Sequence, residues 1–212
     1  MSVRRFVSNG PRETIEIGGE IARMLSSPTL LFLRGDLGAG KTTLVKGIAQ
    51  ALDAADPDEV TSPTFTLVHE YDGRQRVNGK ERDIKLYHID LYRIQDERQL
   101  ETIGFDELTT EEAILLVEWG EKFPNVVKRS NGEILIEHAG GDTRNITVTP
   151  TRAFAVGLNV LHRSAHELGV GTVVEPEDGD LDAEPERAGW PLVRWEGGSM
   201  GWYDPWVLEA AS

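Results

Sequence analysis

The sequence predicts a three-layer α/β fold with a mixed central sheet, followed by a smaller C-terminal extension of different character. Three observations predict it. Residues 1–149 alternate short apolar runs with amphipathic stretches, the pattern of strands and helices stacked in layers. One apolar run feeds directly into a glycine-rich turn that opens a helix. Composition then changes after Pro150: residues 150–212 hold four basic and eleven acidic residues.

Taken in order, Arg5–Ser8 reads as a short first strand. Pro11 opens a helix running to Leu25, because proline fits the first helical turn. Thr29–Arg34 (TLLFLR) is an apolar run ending at glycine, as a buried strand does. From Lys41 to about Leu52 the apolar residues Leu44, Val45, Ile48 and Leu52 share one helical face. Phe65–Tyr71 (FTLVHEY) predicts the next strand, and the charged, two-glycine stretch Asp72–Arg82 predicts a turn or exposed hairpin loop. Lys85–Asp90 and Ala113–Trp119 predict two further strands, with a helix near Glu97–Ile103 between them. Glu133–His138 and Asn145–Thr149 alternate in polarity and are expected to close an edge of the sheet.

Beyond residue 150, Ala153–Leu168 reads as a helix, and Glu175–Glu186, with seven acids, as a solvated linker. Four of the five tryptophans (Trp190, Trp195, Trp202 and Trp206) crowd into the last 23 residues. That segment reads either as part of a small β module, SH3-like in character, or as a tail packed on the main domain. The expected division is therefore 1–150 for the main domain, 151–188 for a helix and acidic linker, and 189–212 for the Trp-rich β segment.

Composition narrows the function classes. The net charge is −14, and a field of that sign repels phosphate backbones, so stand-alone nucleic-acid binding is not expected. The chain has no cysteine, which excludes disulfides, thiolate metal sites and a cysteine nucleophile and is compatible with a cytoplasmic location. No stretch of about 18 apolar residues is present, so no membrane span is expected. The N-terminus MSVRRFVSNG lacks the apolar stretch of a signal peptide. The five histidines are scattered, and only His162 and His166 share i, i+4 spacing, without the glutamate of a zinc-protease helix.

Gly35-Asp36-Leu37-Gly38-Ala39-Gly40-Lys41-Thr42 matches G-x-x-x-x-G-K-[ST] at every position. Its context is the required one, an apolar strand before it and an amphipathic helix after it. Glycines let successive N–H groups turn inward as an anion nest at the positive end of a helix. Asp36, Gly38, Ala39 and Gly40 would line that cradle, Lys41 would reach the β- and γ-phosphates, the Thr42 hydroxyl would bind magnesium, and Thr43 would lie near the α-phosphate. The expected ligand is ATP with Mg2+. No N-K-x-D-type guanine motif is present.

A phosphate loop specifies a nucleotide, not a reaction. Hydrolysis also needs a carboxylate on the metal and a group that orients water. Asp90 ends LYHID and Glu118 ends ILLVE, which places both at the carboxyl edge of a sheet, where ligands bind in such folds. A strand-end acid can also cap a helix or face water, and spacing does not say which of the two meets the metal. Thr42, Asp90 and Glu118 are thus the candidate metal residues. Thr61-Ser62-Pro63-Thr64 is a hydroxyl-rich loop that reads either as a switch sensing the γ-phosphate, with Thr64 or Ser62 near the metal, or as an ordinary Ser-Pro turn.

GDLGAGKTTL, TSPTFTLVHEY, YHIDLYR, GFDE and LLVEWGEKFP, in that order and spacing, resemble the bacterial TsaE (YjeE) family, small ATPases of tRNA threonylcarbamoyladenosine biosynthesis. The resemblance covers roughly residues 5–149 and is far more specific than the phosphate loop alone. It implies that the fold is P-loop NTPase-like and that Lys41 and Glu118 are catalytic, Glu118 activating or orienting the attacking water. It implies that Asp90 is the magnesium carboxylate, that Trp119 helps shape the nucleotide site, that Thr64 belongs to the switch loop, and that Tyr92 and Arg93 support the site or a partner surface. It further implies a protein partner, a TsaB–TsaD-type complex that transfers threonylcarbamoyl to adenosine 37 of tRNA, with tRNA met only through that complex. ATP binding would favour the assembly and hydrolysis would reset it. Two features depart from the family: a longer Asp72–Lys85 stretch, and the residues after Thr149, which match no catalytic motif.

Two other classes compete. A P-loop kinase of a small molecule would need an arginine-rich lid, and only isolated Arg74, Arg76 and Arg82 stand in a loop. A nucleotide-dependent binding module would bind ATP without turnover, and Glu118 discriminates that case.

Overall fold

The structure is a computed structural model that describes residues 3–25, 27–77, 80–109, 112–150, 159–162, 165–174, 192–203 and 208–211. The chain divides into two compact units, Arg5–Val148 and a second made of Met1–Arg4 with Thr149–Ser212. No described helix is long and apolar enough to cross a membrane.

The first unit opens with β1 (Arg4–Ser8), α1 (Pro11–Met24), β2 (Thr29–Arg34) and α2 (Lys41–Ala51). A long hairpin of β3 (Val68–Val77) and β4 (Lys80–Asp90) follows, then a 3-10 helix Glu97–Ile103 and α3 (Phe105–Leu108). β5 (Ala113–Glu118), α4 (Pro124–Arg129), β6 (Gly132–His138) and β7 (Arg144–Pro150) complete it. The seven strands form one sheet in the order β1-β7-β6-β2-β5-β4-β3. β2 runs parallel to both β5 and β6, β4 runs parallel to β5, and β3 is antiparallel to β4. The sheet is mixed, as the sequence predicts.

Central position explains composition. All six residues of β5 are buried, and five of six in β2, as expected for parallel strands covered on both faces. Alternation sends Leu30, Phe32, Leu115 and Val117 to one face, where they cluster with Tyr87, Ile89 and Phe123. Leu31, Leu33, Ile114 and Leu116 point to the other and are equally buried. Each such side chain contributes roughly 1.5–3 kcal/mol on burial, so the strands that carry the site are held from both sides.

α1 and α2 approach each other closely enough that a Cβ on Gly47 would overlap the Ile15 carbonyl group. Gly47→Ala is therefore expected to lower stability by about 1–3 kcal/mol, despite the roughly 1 kcal/mol that alanine gains over glycine in helix propensity. A urea midpoint equal to or above that of the wild type would contradict this packing.

Several elements differ from the sequence expectation for identifiable reasons. The strand expected over Phe65–Tyr71 starts at Val68, because Leu67 N–H closes a turn onto the Pro63 carbonyl at 2.7 Å, with Leu67 at φ 68°. Most of Asp72–Arg82 is strand, not loop. Its polar residues pair across the hairpin or reach outward: Arg76 meets Glu81, Gln75 donates to the Leu25 carbonyl at 2.7 Å, and Arg74 N–H donates to the Leu52 carbonyl at 2.6 Å. The Glu97–Ile103 helix is of 3-10 type, opened by a capping box at Asp96. The expected Ala113–Trp119 strand ends at Glu118, since Trp119 turns away at φ 61°. β6 and β7 lie on the far side of β2, but β1 is the outermost strand there.

In the second unit the residues expected as a helix over Ala153–Leu168 form, where described, strand β8 (Asn159–His162) and a 3-10 turn His166–Leu168. β8 joins β9 (Val170–Val174), β10 (Leu192–Trp195), β11 (Met200–Trp202) and β12 (Leu208–Ala210) in a five-stranded sheet, order β11-β10-β9-β8-β12, with antiparallel pairs throughout. Non-local strand pairing overrides local helix preference here. Trp195 is the anchor, buried with Val160, Val173, Val193 and Leu208, and Tyr203 meets it edge-on at 5.3 Å. The Glu175–Glu186 stretch, Trp190 and Trp206 lie outside the described residues.

Candidate functional site

The glycine-rich loop leaves β2 at Arg34 and enters α2 at Lys41. Gly35, Gly38 and Gly40 take φ of 145°, 78° and 111°, backbone that other residues rarely adopt. A Cβ on Gly35 would also lie 2.5 Å from the Ile136 carbonyl oxygen, so β6 closes one side of the loop. Gly40 is the N-cap of α2 and supplies no capping side chain, and the first turn carries no acid. The N–H groups there remain available to an anion.

Lys41 folds back over this loop. Its Nζ donates to the carbonyls of Gly35 at 2.9 Å and Asp36 at 3.2 Å, and lies 3.3 Å from Glu118 Oε2. Both charged side chains are buried, 8% and 6% exposed, so neither can shed its partner into bulk water without cost.

Parallel pairing sets the two carboxylates side by side: Asp90 of β4 registers with Glu118 of β5, which registers with Leu33 of β2. Their surroundings differ. Asp90 accepts from the Thr64 hydroxyl at 2.8 Å and the Tyr92 N–H at 2.8 Å. The Thr64 hydroxyl also meets Ser62 Oγ at 2.9 Å. Glu118 is gripped by nitrogen on both oxygens, Lys41 on Oε2 and His88 Nε2 on Oε1 at 2.9 Å. Asp90 thus keeps a neutral oxygen-rich setting suited to a hard cation, together with the Thr42 hydroxyl on the same cavity. Glu118 is held as an acceptor beside the loop lysine.

These residues line one cavity of about 610 Å³, within the range of small-molecule sites. Asp36, Gly38, Gly40, Lys41, Thr42 and Thr43 form its floor, with Ser62, Thr64, Asp90, Tyr92, Glu118 and Trp119 around it. Ala39 does not line it. That residue is buried behind the loop, where its carbonyl accepts from Arg144 Nε at 3.0 Å. Trp119 and Tyr92 pack at 5.3 Å, and Lys122 ties this wall down by donating to the carbonyls of Leu91 and Tyr92, each at 3.0 Å. Arg93 stacks on the exposed Phe65 ring at 4.3 Å.

Three residues of this machinery escape a reading of the sequence: His88, Lys122 and Arg144. Each matters through a partner about 30 or more positions away, and no local pattern marks Lys122 or Arg144. For His88 a faint signal existed, its alternation with Asp90 along β4.

Comparison with known proteins bears on the same residues. The family model described as threonylcarbamoyl adenosine biosynthesis protein TsaE matches residues 8–146. A protein of Aquifex aeolicus named tRNA threonylcarbamoyladenosine biosynthesis protein TsaE is 42% identical over 120 residues, covering 57% of this chain and 79% of that one. The namesake of Bacillus subtilis is 38% identical over 139 residues, 66% of this chain and 80% of its own. That of Treponema pallidum is 33% identical over 144 residues, 68% of this chain and 98% of its own. A crystal structure of Bacillus subtilis YdiB superposes with a TM-score of 0.51 at 32% identity, covering 71% of this chain and 86% of the other. With the model matching well over half of the chain, and with the glycine loop and both strand-end carboxylates inside the match, this chain belongs to the TsaE family.

Proposed function

We propose that the cavity binds ATP with Mg2+ and hydrolyses it, and that turnover serves threonylcarbamoyladenosine formation at position 37 of tRNA through a TsaB–TsaD-type complex. The observation that carries the reading is convergence: an open helix N-terminus, a lysine, a hydroxyl and two differently held carboxylates share one cavity. Lys41 exchanges its two loop carbonyls for β- and γ-phosphate oxygens. Thr42 and Asp90 are the residues that would hold the magnesium ion, which, when bound, neutralises phosphate charge during transfer. Glu118, freed on Oε2 when Lys41 turns to the phosphates, accepts a proton from, or orients, the attacking water. The names of the relatives support the place in tRNA modification. The net charge of −14 leaves the tRNA to the partner complex.

No arginine lines the cavity among the described residues, so hydrolysis by the isolated chain is expected to be slow, on the order of 10⁻² s⁻¹ or less. The test is ATP hydrolysis with and without a TsaB–TsaD complex, in magnesium and in EDTA. Stimulation by the complex and loss in EDTA are the expected outcomes. Weak activity that the complex neither changes nor binds would sink the tRNA-modification reading and turn attention to a small-molecule kinase, tested by screening acceptors.

A further inference from the structure

His88 is fully buried on β4, facing His69 of β3 and Leu116 of β5 in register. Packing alone does not account for it. Its Nδ1 is buried and has no hydrogen-bond partner among the described residues, a cost that an apolar residue in the same place would not carry. What the imidazole provides is Nε2, 2.9 Å from Glu118 Oε1. A carboxylate only accepts, so Nε2 carries the hydrogen.

We propose that His88 is a positioning residue that fixes Glu118 for its task, an inference that rests on the ATPase reading above. Glu118 has two nitrogen partners, and they are not equivalent. Lys41 holds Oε2 at 3.3 Å but also reaches the carbonyls of Gly35 and Asp36, and phosphate oxygens compete for it as soon as a nucleotide enters. His88 comes from the sheet interior, where Glu118 is its one side-chain hydrogen-bond partner among the described residues. When Lys41 leaves, Oε1 stays anchored and the carboxylate cannot swing. Oε2 is then the free acceptor on the cavity side, already oriented before water arrives. By analogy with the hydrogen-bond partners that orient metal-binding side chains, such support is expected to be worth about 10–100-fold in activity.

The experiment measures kcat and KM for ATP, with mant-ATP affinity, for wild type, His88→Leu, His88→Gln, His88→Asn and Glu118→Gln, and for His88→Leu combined with Glu118→Gln. His88→Leu is expected to lose about 10–100-fold in kcat with KM and affinity unchanged. His88→Gln, whose amide nitrogen extends as far as Nε2, should recover most of the loss, and His88→Asn, which is too short, should not. In the Glu118→Gln background the leucine should add almost nothing, because both residues act as one unit. A His88→Leu protein with wild-type kcat, or Gln and Asn variants falling alike, or full additivity with Glu118→Gln, would each overturn the proposal. Should the leucine variant fail to fold, the contrast between Gln and Asn decides on its own. A wild type without turnover removes the ATPase reading, and the positioning role with it; an active wild type with unaffected variants removes only the latter.

Discussion

Glu118→Gln is expected to cut ATP hydrolysis by about 10²–10³-fold while leaving ATP affinity nearly intact. The substitution keeps the shape of a side chain buried between Lys41 and His88; it removes the negative charge and the capacity to accept a proton, and leaves one accepting oxygen where there were two. In the proposed binding mode the phosphates contact the glycine loop and Lys41, not this carboxylate, so binding is expected to hold. Fluorescent-nucleotide titration beside a phosphate-release assay separates the two quantities. Parallel loss of both would mean that Glu118 holds the nucleotide and that the assignment of roles between Asp90 and Glu118 is reversed. Glu118→Ala carries a second expectation. It strands Lys41 in a site where it is 8% exposed, and breaking a buried pair costs about 3–5 kcal/mol. The two carbonyls that still accept from Lys41 hold the loss to about 3 kcal/mol, read as a lowered urea midpoint without nucleotide.

Lys41→Ala is the second large effect, and it differs in kind. Lys41 reaches back over the loop, its Nζ spread over three oxygen partners, the Gly35 and Asp36 carbonyls and Glu118 Oε2. In the proposed complex the ammonium exchanges the two neutral carbonyls for charged phosphate oxygens in a site of low dielectric. Its removal should abolish detectable ATP binding as well as reduce hydrolysis by at least about 100-fold. Raising ATP should not rescue the rate. A variant that regains wild-type kcat at saturating ATP would show that Lys41 contributes ground-state binding alone. The pair of variants thus separates capture from chemistry: one loses both, the other loses only the reaction.

Much of the fold could be read from the chain because it depends on short-range pattern. TLLFLR and AILLVE are apolar runs of strand length, and they became the two most buried strands of the sheet. The Gly35–Thr42 loop was legible for a related reason. Its glycines answer to local backbone demand, with φ values of 145°, 78° and 111°, and such demand leaves a mark in sequence. The hairpin was harder. Asp72–Arg82 looks like loop by composition, yet it is an extended ribbon, because charges on a two-stranded arm pair across it and Gln75 and Arg74 bind backbone at the ends of α1 and α2.

By itself, then, the sequence determined the strand–loop–helix unit, the polarity of the central strands and the set of side chains at their carboxyl ends. All of these are local: each depends on residues within one or two turns of the chain. Only the tertiary structure decided how the two carboxylates differ. The Thr64 hydroxyl on Asp90, against Lys41 and His88 around Glu118, arises from register between β4 and β5 and from loops far apart in sequence. The same holds for the tie from Arg144 to Ala39, which spans 105 positions, and for the strand at Asn159–His162, where pairing with β9 and β12 outweighed helix propensity. Such outcomes are sums of contacts between distant segments, and no window along the chain contains both terms of the sum.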